Sequence, residues 1–326
     1  MAADMTPPAA AAAFLAASGW GSADILPVAG DASFRRYFRA VEATRSAILM
    51  DAPPPHEDPQ PFLQMARWLT ANGFAAPEIY GEDPEHGLVL LQDFGDIRMR
   101  ETVDAEPARE LALYSAAIDI LVSLRSHDAA PLARYDRAVL HREANLLTEC
   151  YCPALGIEAD QAAYAAAWDT VFEQVLGGPQ VTVLRDFHAE NLMLIGPDTL
   201  GLLDFQDALA GHPAYDLVSL LQDARRDVSE HVEAAMLARY KAVVRTDAGF
   251  DAAYHVLGAQ RNAKIIGIFT RLWQRDGKLR YPTLCPRVWR YLNRDLDHPA
   301  LAPVKVWFDA TIPLELRGDP LALSSC

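Results

Sequence analysis

The first 240 residues of this 326-residue chain contain no lysine. All four lysines, Lys241, Lys264, Lys278 and Lys305, come later, so any cation needed earlier must be an arginine. Basic residues are also outnumbered, 29 Lys and Arg against 44 Asp and Glu, a net charge of −15. That balance argues against nucleic-acid binding, which rests on clustered cations. It leaves room for an anionic small molecule, which needs only local positive charge. No apolar run reaches the ~18 residues of a membrane span, so no membrane association is expected. The four cysteines, Cys150, Cys152, Cys285 and Cys326, read as reduced thiols, because Cys150-Tyr151-Cys152 has the wrong spacing for a zinc knuckle. No Lys or Arg precedes Arg35, so the alanine-rich start lacks the basic region of a secretory signal, and a cytoplasmic protein is expected.

The stretch Leu184–Asp207 is the most informative part of what is there. Two short apolar runs, Leu192–Ile195 and Leu200–Leu203, are joined by Gly196-Pro197-Asp198, whose turn chemistry predicts a hairpin. Such a hairpin brings Asn191, at its entry, beside Asp204, at its exit. Two oxygen donors there, with the Asp186 carboxylate five residues upstream of Asn191, suit a hard divalent cation next to a base that orients a hydroxyl. A plain core hairpin with polar ends fits each half alone; the full spacing favours phosphoryl transfer.

Around this stretch the chain reads as an α+β fold in two domains, residues 1–92 and 93–326. The first has a leading alanine-rich helix and strands at Ile25–Ala29, Phe34–Val41, Ser46–Met50, Ala76–Tyr80 and Gly87–Leu91, with one helix over Pro61–Asn72. Gly30-Asp31-Ala32-Ser33 between the first two strands has the small residues a phosphate-covering turn requires, and period-two alternation places Ser33, Arg35 and Tyr37 on one face. Gly30, Ser33, Phe34, Arg35 and Arg36 are therefore candidate nucleotide ligands. Gln92, Asp93 and Phe94 form a candidate hinge against a base edge. The larger second domain is mostly helical, with helices over Pro107–Arg125, Asp136–Cys150 and Asp160–Leu176 and a further one over Leu217–Asp223, opened by Gly211-His212-Pro213-Ala214-Tyr215-Asp216. Near its end, Arg261, Lys264, Arg271 and Arg275 recur on one helical face, against the acidic background, as a candidate anion- or sugar-facing surface.

Asp186-Phe187-His188-Ala189-Glu190-Asn191 with Leu203-Asp204-Phe205-Gln206-Asp207 resembles the aminoglycoside-phosphotransferase branch of the protein-kinase-like superfamily. Narrower features, Gly30 to Arg39, Met50 to Pro54, Ala214 to Leu221 and Gln260 to Lys278, are similar to the bacterial anomeric kinases of cell-wall (peptidoglycan) recycling, which phosphorylate the C1 hydroxyl of N-acetylmuramate and N-acetylglucosamine. The resemblance implies a bilobal kinase-like fold with a small five-stranded antiparallel lobe, ATP and Mg²⁺ as cofactors, and an amino sugar as substrate. It implies that Asp186 is the catalytic base, that Asn191 and Asp204 hold Mg²⁺, and that His188 stands where protein kinases keep a lysine near the γ-phosphate. Arg185, Glu190, Arg261, Asn262, Arg271 and Arg275 are the candidate sugar ligands.

Asp93-Phe94-Gly95 spells the kinase metal motif but precedes Asp186, so it is read as a decoy. The third strand lacks the kinase lysine that meets the α- and β-phosphates. Arg35, Arg36, Arg39 and Arg45 are the candidate replacements, with Arg35 or Arg36 favoured by closeness to the glycine turn. Rival readings are a kinase of choline, homoserine or an aminoglycoside, or a pseudokinase acting through partners.

Overall fold

The computed structural model describes residues 5–28 and 35–324. Contacts divide the chain into two compact units, Met1–Pro107 with Glu190–Asp207, and Ala108–Ala189 with Ala208–Cys326. The first opens with α1 (Ala11–Ala17) and holds a five-stranded antiparallel sheet: β1 (Asp24–Val28), β2 (Arg36–Val41), β3 (Ser46–Asp51), β4 (Ile79–Asp83) and β5 (Leu88–Gln92). Its order is β1-β2-β3-β5-β4. Two-stranded antiparallel pairs complete the strands: β6 (Val181–Val183) with β9 (Leu209–Gly211), and β7 (Leu192–Leu194) with β8 (Leu200–Leu202).

Alternation in β2 buries Phe38 and Ala40 in a core with Phe14, Leu15, Trp20, Leu49, Leu88 and Leu90. α2 (Gln60–Ala71) buries Phe62, Leu63, Met65, Ala66 and Leu69, the stripe its sequence predicts, and stops before Gly73, whose φ of 82° suits glycine. β4 begins three residues later than expected, past Pro77, which has no N–H to give a ladder. α3 (Met99–Ala105) closes this part of the unit.

The hairpin β7–β8 belongs to the first unit, so the expected division after residue 92 differs from the observed grouping. Backbone and packing explain the difference. Leu194 N–H donates to Ile97 O (2.7 Å), Leu202 N–H donates to Ala75 O (2.8 Å), and the Phe205 ring stacks on Phe62 with centroids 5.0 Å apart. Gly201 leaves room for Phe94, since a Cβ there would stand 2.6 Å from Cε2 of that ring.

The second unit contains α4 (Glu110–Ser126), α5 (Arg137–Ala144), α6 (Cys152–Ala154), α7 (Gln161–Leu176), α8 (Ala214–Leu221), α9 (Glu230–Val243), α10 (Phe250–Asp276), α11 (Cys285–Leu296), α12 (Ala302–Thr311) and α13 (Pro320–Leu323). The helix expected over Asp136–Cys150 is instead α5 followed by a π-turn over Leu147–Tyr151. α10 imposes this break: a Cβ at Gly267 would lie 2.3 Å from the Leu146 backbone, so the two segments touch main chain to main chain. Among the described residues no helix is long and apolar enough to cross a membrane.

Candidate active site

In the second unit, β6 delivers the chain into Leu184-Arg185-Asp186, and Arg185 adopts φ 71°, a left-handed conformation that a non-glycine residue holds only when its surroundings enforce it. The enforcement is visible. Asp216, 3% exposed near the start of α8, accepts the Leu184 N–H on Oδ2 (2.7 Å) and the Arg185 N–H on Oδ1 (2.8 Å). Burial pushes the Asp216 carboxyl up to about 7, opposed by those two N–H donors. Ser219, one turn along α8, donates its hydroxyl to Arg185 O at 3.0 Å and accepts from Arg261 Nη2 at 2.8 Å. Asp216→Ala would leave two buried N–H groups unpaired beside a strained residue, so a loss of about 2–5 kcal/mol is expected in urea unfolding. A change below about 1 kcal/mol would contradict the clamp.

Asp186 follows directly. Burial opposes its charge, but Lys264, Arg261 and Arg185 outweigh burial and hold the carboxyl below the usual aspartate range. An ionised aspartate is the form that accepts a hydrogen bond from a hydroxyl. The surrounding cations are themselves balanced by Glu143 on α5, 5% exposed, which accepts from Arg185, from Tyr135 and from Lys264 Nζ at 3.0 Å. His188 is 3% exposed and its Nε2 faces Arg225 Nη1 at 3.2 Å, which makes that nitrogen the acceptor. Burial, Arg225 and Arg261 depress its basicity more than Asp223 and Asp186 restore it. A neutral imidazole does not supply the charge of a lysine, and the cation beside it is Arg225.

In the first unit, the hairpin brings Asn191 and Asp204 together as its sequence predicts. Leu203 N–H donates to Asn191 O at 3.0 Å, and Asn191 Nδ2 lies 3.2 Å from Asp204 Oδ2. Asp204 is exposed, has φ 59°, and accepts from Gln206 Nε2 on Oδ1 at 2.7 Å. Buried Phe205 anchors the strained turn that presents it.

A model of one known family matches residues 24–254, and its description is the phosphotransferase enzyme family. The chain belongs to that family. Relatives of this phosphotransferase include the N-acetylmuramate/N-acetylglucosamine kinase of Caulobacter vibrioides, 38% identical over 95% of this chain and 98% of that protein. The protein of the same name from Pseudomonas aeruginosa is 40% identical over 85% of this chain and 86% of its own. Among solved structures, the choline kinase LicA from Streptococcus pneumoniae superposes with a TM-score of 0.60 at 12% identity, covering 86% of this chain and 93% of its own. That likeness shows the fold, the α+β bilobal kinase-like one expected from the sequence.

The donor set of the phosphotransferase hairpin has the chemistry that suits Mg²⁺. One carboxylate and one amide oxygen are hard donors, and Mg²⁺ is usually held by one or two carboxylates with water and substrate phosphates making up the rest. Among the described residues no group of three or more His, Cys, Asp or Glu stands together to hold a metal ion.

The other expected residues are distributed as follows. Gly30, Ser33 and Phe34 lie outside the described residues. Gln92 N–H is committed to Glu78 O at 2.8 Å, and Asp93 accepts from Ser46 Oγ, Arg39 and Gly95 N–H, so both serve the first unit's own structure. Glu190 pairs with Arg100 of α3. Asn262 is fully buried and donates to Gln222 Oε1 at 2.7 Å. Arg275 is exposed and paired with Asp276, while Arg271 is half-buried on the same helix. The expected cationic face of α10 thus divides: Arg261 and Lys264 join the Asp186 cluster and Arg275 does not. The sequence alone does not single out Glu143, Ser219 or Arg225. Glu143 left one signal, a carboxylate on the buried phase of α5 beside Leu140 and Ala144.

Proposed function

We propose that this phosphotransferase uses ATP to phosphorylate the anomeric C1 hydroxyl of N-acetylmuramate, N-acetylglucosamine or both, as a cytoplasmic step of peptidoglycan recycling. The observation that carries the reading is that relatives 34–40% identical over at least 85% of this chain all bear the name N-acetylmuramate/N-acetylglucosamine kinase. Asp186 accepts a hydrogen bond from the sugar hydroxyl and takes its proton as the oxygen bonds to the γ-phosphorus and the bond to the bridging oxygen of ADP breaks. Its ionised state, supported by Lys264 and Arg261, suits that role. Asn191 and Asp204 would hold Mg²⁺, which when bound neutralises charge on the nucleotide phosphates.

The reading is tested by ADP release with ATP and Mg²⁺ over a panel of amino sugars, choline, homoserine and an aminoglycoside. Turnover of N-acetylmuramate or N-acetylglucosamine above all the other acceptors is expected. Preference for choline, or ADP release with none of them, would sink it.

A further inference from the structure

The first unit contains no lysine, and three of the four candidate arginines, Arg36, Arg39 and Arg45, are taken up by its own carboxylates. Arg36 stands opposite Asp51 in the β2–β3 register, and its Nη2 and Nε reach the buried Asp51 Oδ2 at 2.6 and 2.8 Å. Arg39 ties Asp93 to Asp96, at 2.7 and 2.8 Å. Arg45 pairs with Glu42 at 2.7 Å and covers the Trp20 ring. Each closes a strand end or a turn, and removing it would loosen the sheet.

Arg35 differs. It lies just before β2, and its Nε is 3.1 Å from Oε2 of Glu57, in the run between β3 and α2, with side chains only 11% and 17% exposed. Strand alternation puts it on the side of Tyr37, opposite Arg36. The Tyr37 hydroxyl registers the company on that side. Burial raises it most, the Arg35 guanidinium eases its ionisation, and the Asp204 and Glu57 carboxylates oppose it. Arg35, Glu57 and the proposed metal ligand Asp204 thus all act electrostatically on one tyrosine.

We infer that Arg35 is the cation that meets the α- and β-phosphates of the nucleotide, and that Glu57 is the positioning residue that fixes its guanidinium. The inference rests on the kinase reading above. A guanidinium serves a carboxylate and a phosphate together because its five donors lie in one plane, and its charge persists at every physiological pH. Glu57 in turn prevents a long side chain from having to be ordered anew at each binding event. Another arginine near the metal residues is Arg100, which pairs with Glu190 next to Asn191 and is the competing candidate.

Binding of adenosine, ADP and ATP with Mg²⁺, measured by calorimetry on the full chain, separates phosphate contact from structural support. Arg35→Met should weaken ADP and ATP by about 10-fold or more and leave adenosine within about 2-fold. Arg35→Lys, which keeps the charge without the fork, should recover part of the loss. Glu57→Gln should give the same phosphate-selective pattern with a smaller amplitude. Equal losses for adenosine and ADP, unchanged ADP affinity in Arg35→Met, or a phosphate-selective loss in Arg100→Met alone would each overturn the assignment. Failure of the kinase reading would look different: the wild-type chain would release no ADP with any acceptor, whatever the nucleotide-binding pattern of the variants.

Discussion

Asp186→Asn is expected to lower kcat by at least ~100-fold while leaving ATP affinity within about 3-fold of wild type. The substitution is nearly isosteric, so the strained Arg185 turn and its Asp216 clamp stay in place. What disappears is the negative charge that Lys264, Arg261 and Arg185 stabilise. A carboxamide can still accept a hydrogen bond from a sugar hydroxyl, but it cannot take the proton, so the loss falls on the chemical step. Near-normal turnover would remove Asp186 from the base role. Melting temperature should be followed alongside, because three cations lose a partner charge in this variant and a general loss of stability would lower kcat for a different reason.

Asp204→Asn should act on binding. Exchanging the only carboxylate of the proposed metal pair for an amide is expected to weaken MgATP affinity by at least ~10-fold. The decisive comparison is ATP affinity with Mg²⁺ against ATP affinity in EDTA. Wild type should show a large difference and the variant almost none. An unchanged Mg²⁺-dependent gain would show that Asp204 is not a metal ligand. Because the Asn191 amide and Gln206 both reach the Asp204 carboxylate, the local turn keeps at least one acceptor in the variant, and binding rather than folding carries the effect.

Local signals in the sequence were enough to place Asn191 beside Asp204. Turn chemistry at Gly196-Pro197-Asp198 and two short apolar runs fix a hairpin, and a hairpin fixes which residues sit at its mouth. The same kind of signal located α2, through its apolar stripe and the Asn72-Gly73 stop. What stayed hidden depended on contacts far apart in sequence. No local pattern says that Glu143 balances Arg185 and Lys264 at separations of 42 and 121 residues, or that Ser219 bridges Arg185 to Arg261. The helical period of the sequence runs on through Leu147–Tyr151, because the cause of the π-turn there, the bare backbone of Gly267, lies on α10. Glu57 was missed for the same reason: it sits in an irregular segment after the Pro53-Pro54-Pro55 run, and only the folded chain brings it to Arg35. Arg275 shows the opposite failure. Helical spacing placed it with Arg261, but at the last turn it finds Asp276 instead.

His188 also carries a lesson in chemistry. Position suggested a stand-in for a lysine, but burial among Arg225 and Arg261 keeps the imidazole neutral. The cations around Asp186 are then Lys264, Arg261 and Arg185, with Arg225 beside His188.

The most direct test of the account is to identify the product. N-acetylmuramate is incubated with ATP, Mg²⁺ and the wild-type chain, and phosphorus NMR is used to follow the sugar phosphate that accumulates as ADP forms. A sugar 1-phosphate, with the phosphorus signal coupled to the anomeric proton, is the predicted result. A 6-phosphate, or ATP consumed with inorganic phosphate as the only product, would contradict it.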